Sequence, residues 1–265
     1  NFHELAMQKG FRPMPMGLTV SMTVTNKIKR DVSKNVVALL EGTTRKDEYI
    51  IYSAHWDHLG IGHPVDGDSI YNGAVDNASG TACLLAIAEA FKKGKQPERS
   101  IIFLAVTAEE QGLLGSAYYA EHPIYPPKKT VADINMDAFS SPGPMKDLTI
   151  TGYGQSEMDR YATETAKLQG RYVIPDPEAE KGYFFRSDHF SFAKIGIPSL
   201  YASGSYEDFV HGHEYVEKMN EDYREKKYHQ PQDEYDPETT VLSGVQFDAQ
   251  LMYLVGMKLA NEDYF

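Results

Sequence analysis

Five short stretches of the 265-residue chain concentrate side chains able to bind metals or move protons. They are Ser53-Ala54-His55-Trp56-Asp57-His58-Leu59-Gly60, Gly73-Ala74-Val75-Asp76-Asn77-Ala78-Ser79-Gly80, Thr107-Ala108-Glu109-Glu110-Gln111-Gly112, Asn135-Met136-Asp137 and Tyr228-His229-Gln230-Pro231-Gln232-Asp233. Each alone has an ordinary explanation. A His-x-Asp is a common surface pair. Asp76-Asn77 ahead of an apolar helix is a natural N-cap, with glycines forming the turn. Glu109-Glu110 suits a helix's first turn, where the dipole favours negative charge. Asp137 can end a strand, and His229 stands in a charged, solvated stretch.

Together they fit a metal site. His55, His229, Asp76, Glu110 and Asp137 offer two imidazoles and three carboxylates, a set that suits Zn²⁺. The imidazoles disfavour an all-oxygen Mg²⁺ or Ca²⁺ cage, although Co²⁺ or Mn²⁺ would also be accepted. Adjacent Glu109 and Glu110 make sense as a pair: one binds metal while its neighbour holds a proton for a metal-bound water. Asp57 follows His55 by two residues. If both lie in a strand they share a face, and Asp57 is expected to accept the imidazole N–H and set its tautomer.

The elements that must position these residues follow from hydrophobic periodicity. Residues 1–16, with Pro13 and Pro15 beside Met14 and Met16, read as an extended lead-in. Residues 18–28 alternate through Leu18, Val20, Met22 and Val24 and read as a strand. Apolar runs at 36–40 and 49–54, separated by 42–47, suggest a hairpin-like pair. Residues 81–91 are apolar nearly all round, which predicts a buried helix. Strands are expected at 101–106, 131–136 and 199–202. Helices are expected at 113–120, 157–168, 187–194 and 239–259. Strands alternating with helical stretches predict an α/β fold, a single domain with a mostly parallel, mixed central β-sheet flanked by helices. In such sheets ligands gather at the carboxyl ends of strands.

Composition narrows the class. Lys+Arg number 26 and Asp+Glu 38, a formal net charge of −12. That argues against sequence-independent nucleic-acid binding and against an anionic membrane surface as partner. The single cysteine, Cys83, excludes an intrachain disulfide framework and a multi-thiolate zinc site. No apolar run is long enough to span a membrane. The chain starts Asn-Phe-His without a basic or apolar leader. The expectation is therefore that a targeting segment has been removed or that a longer protein has been excerpted.

On these residues the chain resembles the co-catalytic di-zinc metallopeptidases. That family includes bacterial leucyl aminopeptidases and glutamate carboxypeptidases and, as non-peptidase relatives, glutaminyl cyclase and the transferrin receptor. The resemblance covers about residues 35–259. It rests on His-x-Asp, Gly-x-x-Asp-Asn-x-x-Gly, Glu-Glu-x-Gly-x-x-Gly-Ser (109–116), Asn-x-Asp and Tyr-His in this order. It implies a zinc-dependent exopeptidase fold and two Zn²⁺ per chain. Asp76 would bridge them, His55 and Asp137 would complete one site, and Glu110 and His229 the other. Glu109 would be the general base acting on a metal-bridging hydroxide, Tyr228 the donor to the oxyanion, and Asp57 a support behind the ligands. No position departs from the pattern, which argues against a metal-free member. The resemblance further implies a peptide substrate with a free N-terminus and a secreted or periplasmic address. It implies, too, that residues 1–17 are the exit from an inserted protease-associated domain, with the catalytic domain at 18–265.

The remaining candidates carry two readings each. Ser187 or Asp188 can cap the helix that follows, and in the family Asp188 would also stand beside the metals. Tyr183, Phe184 and Phe185 line a substrate pocket or pack in the core, packing being the simpler account for at least two. A glutamate-type carboxypeptidase needs a cationic pocket, for which Arg186 is the main candidate; the paucity of arginines near the motifs favours an aminopeptidase. His58 and His63 read as surface or supporting residues, and His211 and His213 as a solvated loop. Asn77-Ala78-Ser79 matches a glycosylation acceptor that a metal site would exclude. Trp56 walls the cleft or packs. The stretch 214–238 reads as a solvated helix and loop delivering Tyr228 and His229.

Overall fold

The computed structural model describes residues 2–139 and 142–264. The chain forms two compact units, Asn1–Val32 and Ser33–Phe265. The first contains one short helix, α1 (Phe2–Ala6), followed by backbone without regular structure. The strand expected at 18–28 does not form. Leu18, Val20, Met22 and Val24 are exposed. Alternation supplies an apolar face, but a strand also needs a neighbour for its N–H and C=O groups.

The second unit is built on a seven-stranded sheet. Its strands are β1 (Val36–Leu40), β2 (Arg45–His55), β5 (Arg99–Val106), β6 (Thr130–Asn135), β7 (Asp147–Ile150), β8 (Tyr172–Pro175) and β9 (Ser199–Ser203). The order is β1-β5-β2-β6-β9-β7-β8. β2 runs parallel to β5 and β6, β6 to β9, and β7 to β8, while β1–β5 and β7–β9 are antiparallel. The mixed, mostly parallel α/β sheet expected from sequence is therefore present. The hairpin of β1 and β2 is not: β5 lies between them. Two apolar runs with a turn between them state that strands form, not which edges pair. A small ribbon of β3 (Gly60–Val65) and β4 (Asp68–Tyr71) escaped the sequence reading because both strands are short, β3 is almost wholly exposed, and Gly60, Gly62 and Pro64 break any apolar alternation.

Helices cover both faces. Side-chain alternation sends Ile50, Tyr52 and Ala54 of β2, Ile101 and Phe103 of β5, and Ala132 and Ile134 of β6 into the larger core. There they meet α2 (Gly80–Lys93), α4 (Met158–Leu168) and α7 (Ser243–Asn261). Ile51, Ile102, Leu104 and Val106 face the other way, with Tyr119 of α3 (Leu114–Glu121) and Phe192 of α5 (His189–Lys194). α2 forms where expected but is buried on one face only: Cys83, Leu84, Ile87 and Phe91 face the core, while Ala82, Leu85, Ala86 and Glu89 are exposed. α7 begins four residues later than expected, because Asp236 caps a separate turn through Thr239 and Thr240. It packs very closely: a Cβ on Gly256 would lie 1.8 Å from Tyr52 Oη, which donates to Met252 O at 2.8 Å. α6 (His213–Lys226) is the solvated helix anticipated within 214–238.

The chain passes from β2 to β5 on one side and to β6 on the other. β2 is thus flanked by two parallel strands whose carboxyl ends open beside its own. Such a switch point leaves a crevice for a ligand. His55 ends β2, Thr107–Glu110 follow β5, and Met136-Asp137 follow β6.

Candidate metal centre

His55 is buried, and its Nε2 lies 3.2 Å from Asp76 Oδ1 and 3.1 Å from Asp137 Oδ1. Its other nitrogen, Nδ1, faces the backbone carbonyl of Asp57 at 3.1 Å. This corrects the expected carboxylate contact, since Asp57 Oδ1 stands 3.8 Å away and accepts the Glu109 backbone N–H instead. The strand ends at His55, so the two-residue period does not reach Asp57. Main chain rather than carboxylate fixes the imidazole.

Asp76 lies in an irregular turn ahead of α2 and divides its carboxylate. Oδ1 faces His55, and Oδ2 faces His229 Nε2 at 3.3 Å. Asn77 locks the turn: its Oδ1 accepts from Gly80 and Ala138, and its Nδ2 donates to Met136 O. That amide is buried, which excludes a glycan there. A Cβ on Gly80 would lie 2.3 Å from both Asn77 Oδ1 and Met136 O, so α2 can start this close to the end of β6 only with glycine.

Glu110 joins the opposite side. Its Oε2 lies 3.1 Å from His229 Nε2 and its Oε1 2.6 Å from His58 Nδ1. His58, expected at the surface or in support, is buried against Glu110. Both its ring nitrogens and Glu110 Oε1 lack a hydrogen bond of good geometry. Two groups of potential ligands therefore share Asp76: His55–Asp76–Asp137 and His58–Asp76–Glu110, with His229 adjoining the second.

The charges are strongly coupled. Burial disfavours the His55 imidazolium, but the bonds to Asp137 and Asp76 prevail and raise it to about 12. Hydrogen bonds to Asp76 and Glu110 raise His229 to about 10. Burial, then the Asp137 carboxylate, push Glu109 up to about 9. Asp188 is fully buried without a hydrogen bond of good geometry, and burial raises it to about 7 against the pull of the Ser116 hydroxyl. It precedes α5 but makes no capping bond; the charges of His55, Asp137 and Asp57 act on it.

Four non-glycine residues at the site have positive φ: Ala108 (φ 56°), Leu113 (φ 60°), Ala138 (φ 50°) and His229 (φ 57°). Strain of this kind persists only where surrounding contacts enforce it. Asp233 fixes the separate Asp76 turn, accepting the backbone N–H groups of Val75 and Asp76. It closes the fifth motif, and only its burial against the second reveals the role.

Asp76, Glu110, Asp137 and His229 line a cleft of about 620 Å³. Glu109 and Tyr228 line it too, and the Tyr228 ring stacks on His229 at 3.9 Å between centroids. Of the aromatic triplet, Tyr183 and Phe185 line the cleft, while Phe184 packs on His189 and Phe190. Core packing thus holds for one of the three. Arg186 is present, and Arg224 of α6 joins it. No linear signal marked Arg224, because it reaches the cleft only through the placement of α6. Trp56 does not line the cleft; its indole donates to Lys34 O. His211 and His213 bond separately to Asp208 and to Tyr206 O.

The geometry agrees with comparison. The family model for peptidase family M28 matches residues 35–249, and the chain belongs to that family. It is 38% identical over 143 residues to mouse (Mus musculus) aminopeptidase NAALADL1, covering 51% of this chain and 18% of that protein. It is 32% identical over 179 residues to a probable glutamate carboxypeptidase, AMP1, of Arabidopsis thaliana, covering 64% and 22%. The crystal structure of a zinc aminopeptidase from Bacillus subtilis superposes with a TM-score of 0.64 at 22% identity, covering 87% of this chain and 51% of that one. That likeness establishes the α/β fold. The chain spans about a fifth of those curated relatives and about half of that solved chain.

Proposed function

We propose that this chain is the catalytic domain of a zinc-dependent aminopeptidase that hydrolyses the N-terminal peptide bond of peptides. The observation that carries the reading is the divided carboxylate of Asp76, one oxygen toward His55 and the other toward His229. That arrangement suits a bridge between two metal ions. The residues fit the metal on chemical grounds. Carboxylates crowd together in a buried site, and buried ring nitrogens and a carboxylate oxygen stand without good hydrogen bonds. His55 and Asp137 would hold one zinc, Glu110 and His229 the other, and Asp76 both.

Zinc bound there would supply Lewis acidity toward a carbonyl and a water made acidic near neutral pH. Glu109 takes a proton at its carboxylate and returns it to the leaving amine. Its half-buried carboxyl lines the cleft beside Glu110, where it can reach a water held by the neighbouring ligand groups. Tyr228, partly exposed in the cleft wall, donates its hydroxyl hydrogen to the developing oxyanion. Asp57 orders the backbone that carries Glu109. A secreted or periplasmic address belongs to this proposal and rests on family resemblance.

One observation favours a second reading. Two guanidiniums, Arg186 and Arg224, line the cleft where the sequence offered one. They would suit a carboxylate-bearing substrate, as in a glutamate-type carboxypeptidase. A glutaminyl cyclase on this fold would use one zinc. The decisive experiment measures zinc per chain and hydrolysis of aminoacyl chromogenic substrates, with and without chelator. Two zinc ions with chelator-sensitive release of N-terminal residues support the aminopeptidase. Release of C-terminal glutamate from N-blocked dipeptides would replace it with the carboxypeptidase, and one zinc with cyclisation of N-terminal glutamine with the cyclase.

A further inference from the structure

On the sheet face covered by α3 and α5, four polar side chains are buried: Ser53 of β2, Asp133 and Asn135 of β6, and Ser187 just before α5. They form one continuous chain of contacts. Ser187 Oγ lies 2.6 Å from Asp137 Oδ2, and Asn135 Nδ2 lies 2.7 Å from Ser187 Oγ. Ser53 Oγ lies 3.0 Å from Asn135 Oδ1 and 2.7 Å from Asp133 Oδ1.

Counting hydrogens gives the chain a direction. The Asp137 carboxylate only accepts, so Ser187 gives it its single proton. Ser187 must then accept, and only the amide nitrogen of Asn135 can donate to it. The Asn135 oxygen consequently faces Ser53 and takes the Ser53 proton. Nothing remains between Ser53 and Asp133 unless Asp133 supplies the hydrogen itself.

We propose that Asp133 is a neutral carboxylic acid at the head of a one-way hydrogen-bond relay, Asp133–Ser53–Asn135–Ser187, that positions Asp137. With Oδ2 held by Ser187, Asp137 presents Oδ1 toward His55 Nε2. Two further observations agree. Asp133 Oδ2 is buried without a hydrogen bond of good geometry, an expensive situation for a charged carboxylate. Burial raises the Asp133 carboxyl to about 8, and the Asp188 charge works in the same direction against the Ser53 and Ser199 hydroxyls. Asp133 is a positioning residue, and the inference rests on reading Asp137 as a metal ligand.

The test combines infrared difference spectra with zinc affinity, read by competition against a chromogenic chelator. Wild type should show a protonated-carboxyl C=O band at about pH 6 that is absent from Asp133→Asn and disappears as pH rises through about 8. At neutral pH Asp133→Asn, whose amide can donate to Ser53, should bind zinc like wild type. At about pH 9 wild type should bind more weakly than Asp133→Asn, because ionised Asp133 draws the Ser53 proton and turns the relay round. Asn135→Leu should lose about 10- to 100-fold in zinc affinity at one site. Absence of a band assignable to Asp133 overturns the proposal, as does a wild-type to Asp133→Asn affinity ratio that stays flat with pH. Should Asn135→Leu not fold, that comparison still decides. Failure of wild type to bind zinc would refute the ligand role of Asp137, while the infrared arm independently decides whether Asp133 carries a proton.

Discussion

Asp233 holds Asp76 by its backbone: the Asp233 carboxylate accepts the Asp76 N–H at 3.1 Å and the Val75 N–H at 3.0 Å. The Asp233 carbonyl also accepts the Ala74 N–H at 2.9 Å. The loop bearing His229 thereby grips the turn bearing Asp76, and the two sides of the candidate bridge cannot move independently. Asp233→Asn turns one acceptor into an N–H donor facing backbone donors. It is expected to cost about 1–3 kcal/mol of stability and to lower zinc content. Urea unfolding and metal analysis check this; wild-type values in both would remove Asp233 from the site.

Glu109→Gln keeps the shape of the side chain but cannot take the proton. Turnover is expected to fall by about 10²–10⁴ with zinc content unchanged. Single-turnover kinetics and metal analysis on one preparation separate the two effects. Retention of most activity would falsify the general-base assignment.

Zinc binding is expected to release protons. In chelator-stripped protein at pH 7, His55 and His229 are both charged, being raised to about 12 and about 10. Both must become neutral to bind metal, so about two protons per chain should leave on zinc addition. The sign for the stripped fold is the reverse of the usual carboxylate case. His55 is raised above its unfolded value, so its contribution to stability is full below about pH 6.5 and is lost as pH rises toward about 12. A zinc titration in weak buffer with a pH indicator measures the release; no acidification would contradict the coupling.

His58→Ala should weaken zinc binding by about 10- to 100-fold, because it frees Glu110 Oε1 from its close neighbour at 2.6 Å. Competition against a chromogenic chelator checks it. An unchanged affinity would return His58 to the role of a packed core residue.

Arg224→Ala separates the two substrate readings. If the guanidiniums bind a substrate carboxylate, KM for glutamate-bearing peptides should rise about 10-fold or more while leucyl substrates are unaffected. Equal effects on both classes would assign Arg224 to α6 structure, where its nearest carboxylate is Glu178 at 4.0 Å.

The candidate chemistry was legible in linear form because residue types able to bind metal are few in kind, and His55, Glu110 and Asp137 stand at or just after strand ends. His55, Asp76, Glu110, Asp137 and His229 stand in motifs whose residue types alone limit what they can do, and apolar runs announced β2, β5, β6, α2 and α7. Periodicity is a local property, however, and three things depended on long-range packing. The insertion of β5 between β1 and β2 is a choice of edge that no single strand records. The end of β2 at His55 moved Asp57 from the imidazole to the Glu109 backbone. Burial, set by the finished fold, placed His58 against Glu110 and brought Arg224 into the cleft beside Arg186. The sequence by itself determined which groups could bind metal and move protons. Only the tertiary structure decided which of them meet, because hydrogen-bond partners and the water removed around them are settled by residues tens of positions apart.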